Sequence, residues 1–341
     1  MIALKMNKKN ENCDVLDVAK FGLAMVVVSL HSKILPHVAI PLQRIAVPLF
    51  FMISSYLFFT KEKLLPSLSE SVVHVREFII RTAKLYLFWF VALLPMTVYL
   101  RREWFFDGFF IGLSRFVFNI PFGSTFVASW FIPALAIGVL LVWWMGRRIS
   151  FWGQFAVAVL FYALATVASS YGFMCPFDIG FFGDWWKPYN SFPVAVFWVL
   201  CGKCVAEHSP GRGRAKGMLA MMVALSVAVL YLEWKWIGLH GGKWDCDAYF
   251  FLFPAVLWVF LLMLEFRVSV PCAKLLRKLS VMIYAVHGTL VYAFFFLVKT
   301  LGYDYIQHTV LCFFVVSAVS IALGGLVLKL ETKVRCLSNA H

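Results

Sequence analysis

Ten apolar runs, most of them near the ~20 residues that a helix needs to cross ~30 Å of hydrocarbon, follow one another along this chain. They cover about 15–35, 40–59, 80–99, 129–145, 151–169, 192–205, 217–236, 249–265, 279–298 and 309–330. A bilayer core offers no water to the backbone, so each run has to close its own hydrogen bonds as a helix. The expectation is an all-α polytopic membrane protein of about ten transmembrane helices. Composition agrees: 62% of the residues are hydrophobic and 14% charged, against roughly 45–50% and 25% in a soluble domain. The stretch 104–118 is also apolar, but Asp107 and Arg115 interrupt it. It is expected to lie at the outer interface rather than to cross. The first run lacks a small-residue cleavage site and is expected to be retained as the first helix. Ten crossings use most of the 341 residues. They imply a single membrane domain over 1–341, with its core at about 14–330 and no separate soluble domain.

Loop charge orients the helices. With the N-terminus inside, the inner segments hold 21 Lys and Arg, from Lys5, Lys8 and Lys9 at one end to Lys329, Lys333 and Arg335 at the other. The outer segments hold eight: Lys33, Arg101, Arg102, Arg115, Lys187, Lys235, Lys243 and Lys299. The positive-inside rule then puts both termini in the cytoplasm and requires an even number of crossings. The same rule accounts for the formal charge of +14. No Gly-rich phosphate loop, zinc-finger spacing or basic-aromatic reader motif accompanies that charge, so nucleic acid is discounted as a partner. Cys201 and Cys204 form a C-x-x-C pair at the end of an apolar run. There is no second pair at zinc spacing, so they read as helix-packing residues and no metal is expected. Cys175 and Cys246 both fall in outer segments, where an oxidising compartment permits pairing. Nothing in the sequence shows that they meet.

Three basic side chains lie within or near the hydrocarbon: Lys20, His31 and Arg44. Such residues usually face a polar cavity, because a charge at the bilayer centre costs ~2.5–3.5 kcal/mol. Lys20 and His31 are eleven residues apart, almost three turns, which puts them on one helix face ~16 Å apart. Arg81 and Lys84, three apart at the inner end of the third run, also share a face. The pattern is a basic inner mouth with a titratable imidazole deeper on the same path. Plainer readings fit each residue alone. Lys20 can snorkel to the inner headgroups. Arg81 and Lys84 can be ordinary inner-loop cations, and His31 a packed polar side chain.

Several stretches resemble the acyltransferase 3 family of bacterial membrane O-acyltransferases, in that family's order. Lys20 and His31, with ten residues between them and Asp17 before them, resemble its Arg/Lys-x10-His pattern. Arg44-Ile-Ala-Val-Pro-Leu-Phe-Phe-Met-Ile-Ser-Ser-Tyr is similar to R-x-AVPLFF-x-x-SGY, with Ser55 in place of the glycine. Arg81-Thr-Ala-Lys84 resembles R-x-x-R. Trp130-Phe-Ile-Pro-Ala-Leu resembles W-[FY]-[LI]-P-A-L, and Leu279-Ser-Val-Met-Ile-Tyr-Ala-Val-His287 resembles L-S-x-x-x-Y-x-x-H. The resemblance runs from about Asp14 to Leu330. Lys84 keeps the charge of the second arginine but not its planar fork, which makes phosphate contacts less directional. Gly288 follows His287 where the family often has proline.

The resemblance implies an O-acyltransferase of the bacterial inner membrane. It would move an acyl group, acetyl in most relatives, from cytoplasmic acyl-coenzyme A to a cell-surface polysaccharide or lipid-linked glycan. No permanently bound cofactor is implied; acyl-CoA is a substrate. Lys20, Arg81 and Lys84 would hold the coenzyme A phosphates. His31 would be general base or transient acyl carrier, and Arg44 would stabilise the oxyanion or orient the acceptor. An ion pair or carbonyl contact between helices is the other reading of Arg44. Trp130 would line the acceptor path or anchor at the interface. His287 is the second-choice functional histidine, and a helix–helix hydrogen bond is its alternative. Two other classes stay open: a small-molecule or anion transporter or flippase, for which no internal repeat is found, and a non-catalytic membrane domain of the kind linked to racemases.

Overall fold

In the computed structural model the described backbone covers residues 2–175, 185–208, 213 and 215–338, with side chains described from residue 14 to 330 except Tyr305 and those gaps. Of the inner-segment cations, Arg212 and Arg214 lie outside the described residues, as do the side chains of Lys5, Lys8, Lys9, Lys333 and Arg335. Every regular element among the described residues is helical: α1 (Ile2–Ser32), α2 (Ile40–Gln43), α3 (Ala46–Glu62), α4 (Leu68–Ala92), α5 (Leu94–Arg101), α6 (Phe109–Phe122), α7 (Phe131–Arg148), α8 (Phe151–Thr166), α9 (Phe192–His208), α10 (Lys216–Leu239), α11 (Leu252–Leu264), α12 (Ala273–Thr300) and α13 (Thr309–Ser338). The chain divides into two compact units, Met1–Ala46 with Phe266–His341, and Val47–Glu265.

The first unit is built on α12, which packs against both α1 and α13. Leu16, Asp17, Ala24, Val27 and Val28 of α1 are buried at helical spacing. On α12 the run Ile283–Thr289 is buried without interruption. Small buried residues, Ala24 and Ser32 on α1 and Ala285 and Gly288 on α12, favour close helix packing in lipid, where no hydrophobic drive exists between helices. A polar clasp ties the start of the second apolar run to α1. Gln43 Nε2 donates to Ser29 Oγ at 2.9 Å, and that hydroxyl donates to the Val26 carbonyl at 2.7 Å.

The second unit surrounds α9, in which every residue from Pro193 to Leu200 is buried. A helix that is apolar all round belongs inside. It packs against α7 and α8, and Tyr162 of α8 stacks on Phe197 at 4.1 Å. Its polar fastenings lie at the helix ends. Ser67 and Ser150 cap α4 and α8, accepting from the Glu70 and Gly153 amides. Glu62, Ser71, Trp143 and Arg147 join α3, α4 and α7. Arg147 and Ser71 both donate to Glu62 Oε1 at 2.8 Å, and the guanidinium lies 4.0 Å from the Trp143 ring centre. At the far end of α8 a π-turn, Val167–Tyr171, widens the helix. It presents Ser169 to the Asp247 and Ala248 amides and Ser170 to the Ala248 carbonyl. Glu233, buried on α10, accepts from the Tyr171 hydroxyl and from the two amides that lead into α11.

The all-helical, polytopic expectation holds, but the count of ten does not follow from helix length. Among the described residues seven helices are long and apolar enough to cross, or eight if α4 and α5, bent by 73° at Leu93, form one span. The two runs that fall short are α9 with 17 residues and α11 with 13. At ~1.5 Å per residue the latter spans only ~20 Å. Hydropathy cannot separate a buried helix from a lipid-facing one, since both are apolar. The stretch 104–118 becomes a short turn followed by α6, whose 14 residues are also below spanning length. Arg115 pairs there with Asp107 at 3.2 Å. Cys175 Sγ donates to the Tyr171 carbonyl and Cys246 Sγ to the Lys243 carbonyl, so each is engaged as a thiol.

Candidate active site

α1 runs unbroken from Lys20 to His31, so the two side chains do sit three turns apart on one helix. His31 occupies its last turn, and the backbone leaves the helix at Lys33 through a left-handed φ of 56°. Asp17, one turn before Lys20 and 2% exposed, binds Arg277 of α12 at 3.5 Å. Lys20 also acts electrostatically on that carboxylate. Around Asp17 and Lys20, α1 therefore carries a shared ionic cluster, not an isolated lysine.

Three sequence-predicted residues converge in the first unit. The His31 and His287 ring centres lie 5.1 Å apart, tilted by 47°. Arg44, at the C-terminal end of α2 with its amide on the Ile40 carbonyl, is close enough to His31 for its charge to be felt there. The Gln43–Ser29 clasp sits immediately before it in sequence and fixes α2 against α1. Exposure differs between the histidines: His287 is fully buried, while His31 as a whole residue is half-buried. An imidazole with a second, buried imidazole and a guanidinium nearby can take a proton, pass it on and stabilise developing negative charge.

Arg81, Lys84 and Trp130 belong to the second unit. Arg81 and Lys84 are exposed on α4, one turn apart, and the Arg81 guanidinium lies 5.7 Å from the Phe78 ring centre. Trp130 is half-buried, 5.9 Å from Phe51 between ring centres, at the end of a turn whose Ala128 has a φ of 60°. An alanine in the left-handed region needs outside support. Arg101 supplies it, donating to the Ser124 and Thr125 carbonyls at 3.0 Å each. Tyr86 and Thr125 share a hydrogen bond of 2.6 Å, and the Trp130 amide donates to Ser124 Oγ. Sequence reasoning counted Arg101 as an outer-loop charge and passed over Tyr86 and Thr125, Gln43 and Ser29. No motif marks them, because their partners are distant or backbone groups.

Comparison with known proteins places the chain. The acyltransferase 3 family model, an acyltransferase domain, matches residues 14–328, and the chain belongs to that family. An amino-acid racemase of Enterococcus faecalis is 24% identical over 284 residues, 76% of this chain and 37% of that protein. A serine/alanine racemase of Enterococcus gallinarum is 26% identical over 283 residues, 73% of this chain and 37% of its own length. The chain thus spans well under half the length of these curated relatives. No solved structure matches it.

Proposed function

We propose that this protein is a membrane O-acyltransferase that moves an acyl group, acetyl in the first instance, from acyl-coenzyme A to a hydroxyl of a cell-surface polysaccharide or lipid-linked glycan. The observation that carries the reading is the placement of the half-buried His31 three turns beyond Lys20 on α1, with Arg44 near enough to act on it electrostatically, in a chain of the acyltransferase 3 family. His31 is assigned as the base that takes the acceptor proton, or as a transient acyl carrier. Arg44 stabilises the oxyanion that forms when the acceptor oxygen attacks the thioester carbon. Lys20, Arg81 and Lys84 are assigned to the coenzyme A phosphates, and Trp130 to the acceptor path. Incubating the purified protein with radiolabelled acetyl-coenzyme A and glycan-bearing membranes tests the reading. Label transferred to glycan is expected; a protein that transfers no label from any acyl-coenzyme A overturns it.

The donor residues make a distinct prediction. Arg81→Ala or Lys84→Ala should raise the KM for acyl-coenzyme A roughly tenfold, the loss of one charge-assisted phosphate contact of about 1.5 kcal/mol. Turnover should change less. Steady-state kinetics check this, and a variant with normal KM and lost turnover contradicts the assignment.

The proposed site also needs an orientation. Both termini are assigned to the cytoplasm of a bacterial plasma membrane, with ten crossings. α9 and α11 are counted as crossings because Lys203 and Lys216, and Arg267 and Lys274, reach the inner side together only if both cross. The inner loop Glu207–Lys216 includes Ser209, which lies outside the described residues. Ala215, exposed at the start of α10, serves instead. With native thiols blocked, Ala215→Cys should react with an impermeant reagent only after the cells are opened. Reaction in intact cells would reverse this part of the topology.

A further inference from the structure

We propose that His287 is the positioning residue that orients His31 and holds its imidazole in one tautomer during acyl transfer. The inference rests on the acyltransferase reading of His31 and adds a partner that the reading does not contain. His287 is completely buried. Its Nδ1 lies 2.7 Å from the Tyr284 carbonyl and 3.2 Å from the Ile283 carbonyl, both on its own helix. Carbonyl oxygens only accept, so Nδ1 carries the hydrogen, and in the neutral ring Nε2 is left as a lone-pair acceptor. That nitrogen is sealed from solvent and has no hydrogen-bond partner. Buried acceptors rarely stay unsatisfied, and one that does marks a place where a partner arrives.

The neighbouring ring is His31, at 5.1 Å between centres. An N–H···N hydrogen bond of about 2.9 Å between two imidazoles sets their centres roughly 5 Å apart. The observed separation already satisfies that distance, and only ring rotation is needed to align the bond. His31 then donates its N–H to His287 Nε2, and its other nitrogen is fixed as the base. A neighbouring acceptor orients a working histidine in the same way in metal sites and hydrolases, where the partner is usually a carboxylate or carbonyl. Here the partner is neutral, which spares the hydrocarbon a second buried charge.

The proton balance is complete. The acceptor hydroxyl gives its proton to the free nitrogen of His31 as the oxygen–acyl carbon bond forms. The carbon–sulfur bond breaks, and His31 returns the proton to the departing thiolate, leaving coenzyme A as the thiol. His287 gains and loses no proton; it accepts the same hydrogen bond throughout.

The test reads the tautomer as well as the rate. The full chain, labelled with ¹⁵N-histidine, is placed in phospholipid vesicles, and the His31 signals are identified by their loss in His31→Gln. A through-bond coupling between a His31 and a His287 nitrogen is expected in the unmodified protein; its absence overturns the proposal whatever the variants do. His287→Leu should mix the His31 tautomers and lower kcat on the order of 10–100-fold. The KM for acetyl-coenzyme A should stay within about twofold. His287→Gln, whose side-chain oxygen accepts the same N–H, should restore one tautomer and much of kcat. An unchanged His31 tautomer in His287→Leu also overturns the proposal. His31→Ala separates the two levels. If it abolishes transfer while the coupling is absent, the positioning role falls and the acyltransferase reading stands. If it transfers label at the unmodified rate, the reading itself falls.

Discussion

His31→Ala is expected to lower acyl transfer by at least ~10²–10⁴-fold, the usual contribution of a general base. If His31 carries the acyl group covalently, the loss is larger and a labelled enzyme intermediate is trappable. The bundle should survive the change. His31 lies in the last turn of α1, is half-buried, and gives up no large apolar contact. Alanine is the stronger helix former. Expression and monodispersity in detergent should therefore match the parent. Initial rates with radiolabelled acetyl-coenzyme A measure the effect, and a folded variant working at the parent rate ends the catalytic role of His31. Poor folding together with an inactive parent is what a packed histidine in a transporter predicts instead.

The largest structural effect is expected at Glu233. Its carboxylate accepts from the Tyr171 hydroxyl at 2.6 Å and from the Phe250 and Phe251 amides at 2.7 and 2.8 Å. Glu233→Ala would leave three donors at the part-buried α10–α11 junction without their acceptor, at up to about 1–3 kcal/mol each. The two amides have no side-chain substitute, whereas Tyr171→Phe removes one donor together with its need. Glu233→Ala should therefore lower the detergent melting temperature far more than Tyr171→Phe. Glutamine should not rescue fully, because one half of its amide is a donor facing a donor. Equal melting of Glu233→Ala and the parent would show that the α10–α11 junction does not depend on this residue. The same residue explains how a carboxylate is tolerated in so apolar a helix: it works as a cap for a neighbouring helix.

The helices were legible from the sequence because lipid forces each apolar run to be a helix, and the Lys20–His31 spacing was legible because both residues lie on one uninterrupted element. Boundaries were less so. The third run was expected from residue 80, where charge thins out, yet α4 begins at Leu68, because Ser67 caps it by accepting from the Glu70 amide and its first three turns carry polar side chains. The bend at Leu93 has a signal in the Pro95 that follows it, but a proline shows where a helix breaks and not by how much. Within the candidate site, His31 and Arg44 were readable as misplaced polar residues and His287 through the family resemblance, while the 5.1 Å approach of His287 to His31 was not. Such a contact joins helices more than 250 positions apart, and no local pattern encodes it. The hydrogen bonds that hold Trp130 in place escaped for the same reason, since Arg101 acts on backbone carbonyls that every residue possesses.

Ser55, standing where the resemblance expects a glycine, folds its hydroxyl back on the Phe51 and Met52 carbonyls. Gly202 of α9 lies opposite, and a Cβ there would run into Ser55 Oγ and come within 2.7 Å of the Met52 carbonyl oxygen. The two positions share part of one space. Gly202→Ala is closed to the chain as it stands, yet it becomes less costly once residue 55 has shed its side chain. Glycine at 55 would relieve the side-chain half of that conflict and leave the approach to the Met52 carbonyl oxygen, so the close packing of α3 on α9 asks for a glycine at 202 whatever stands at 55.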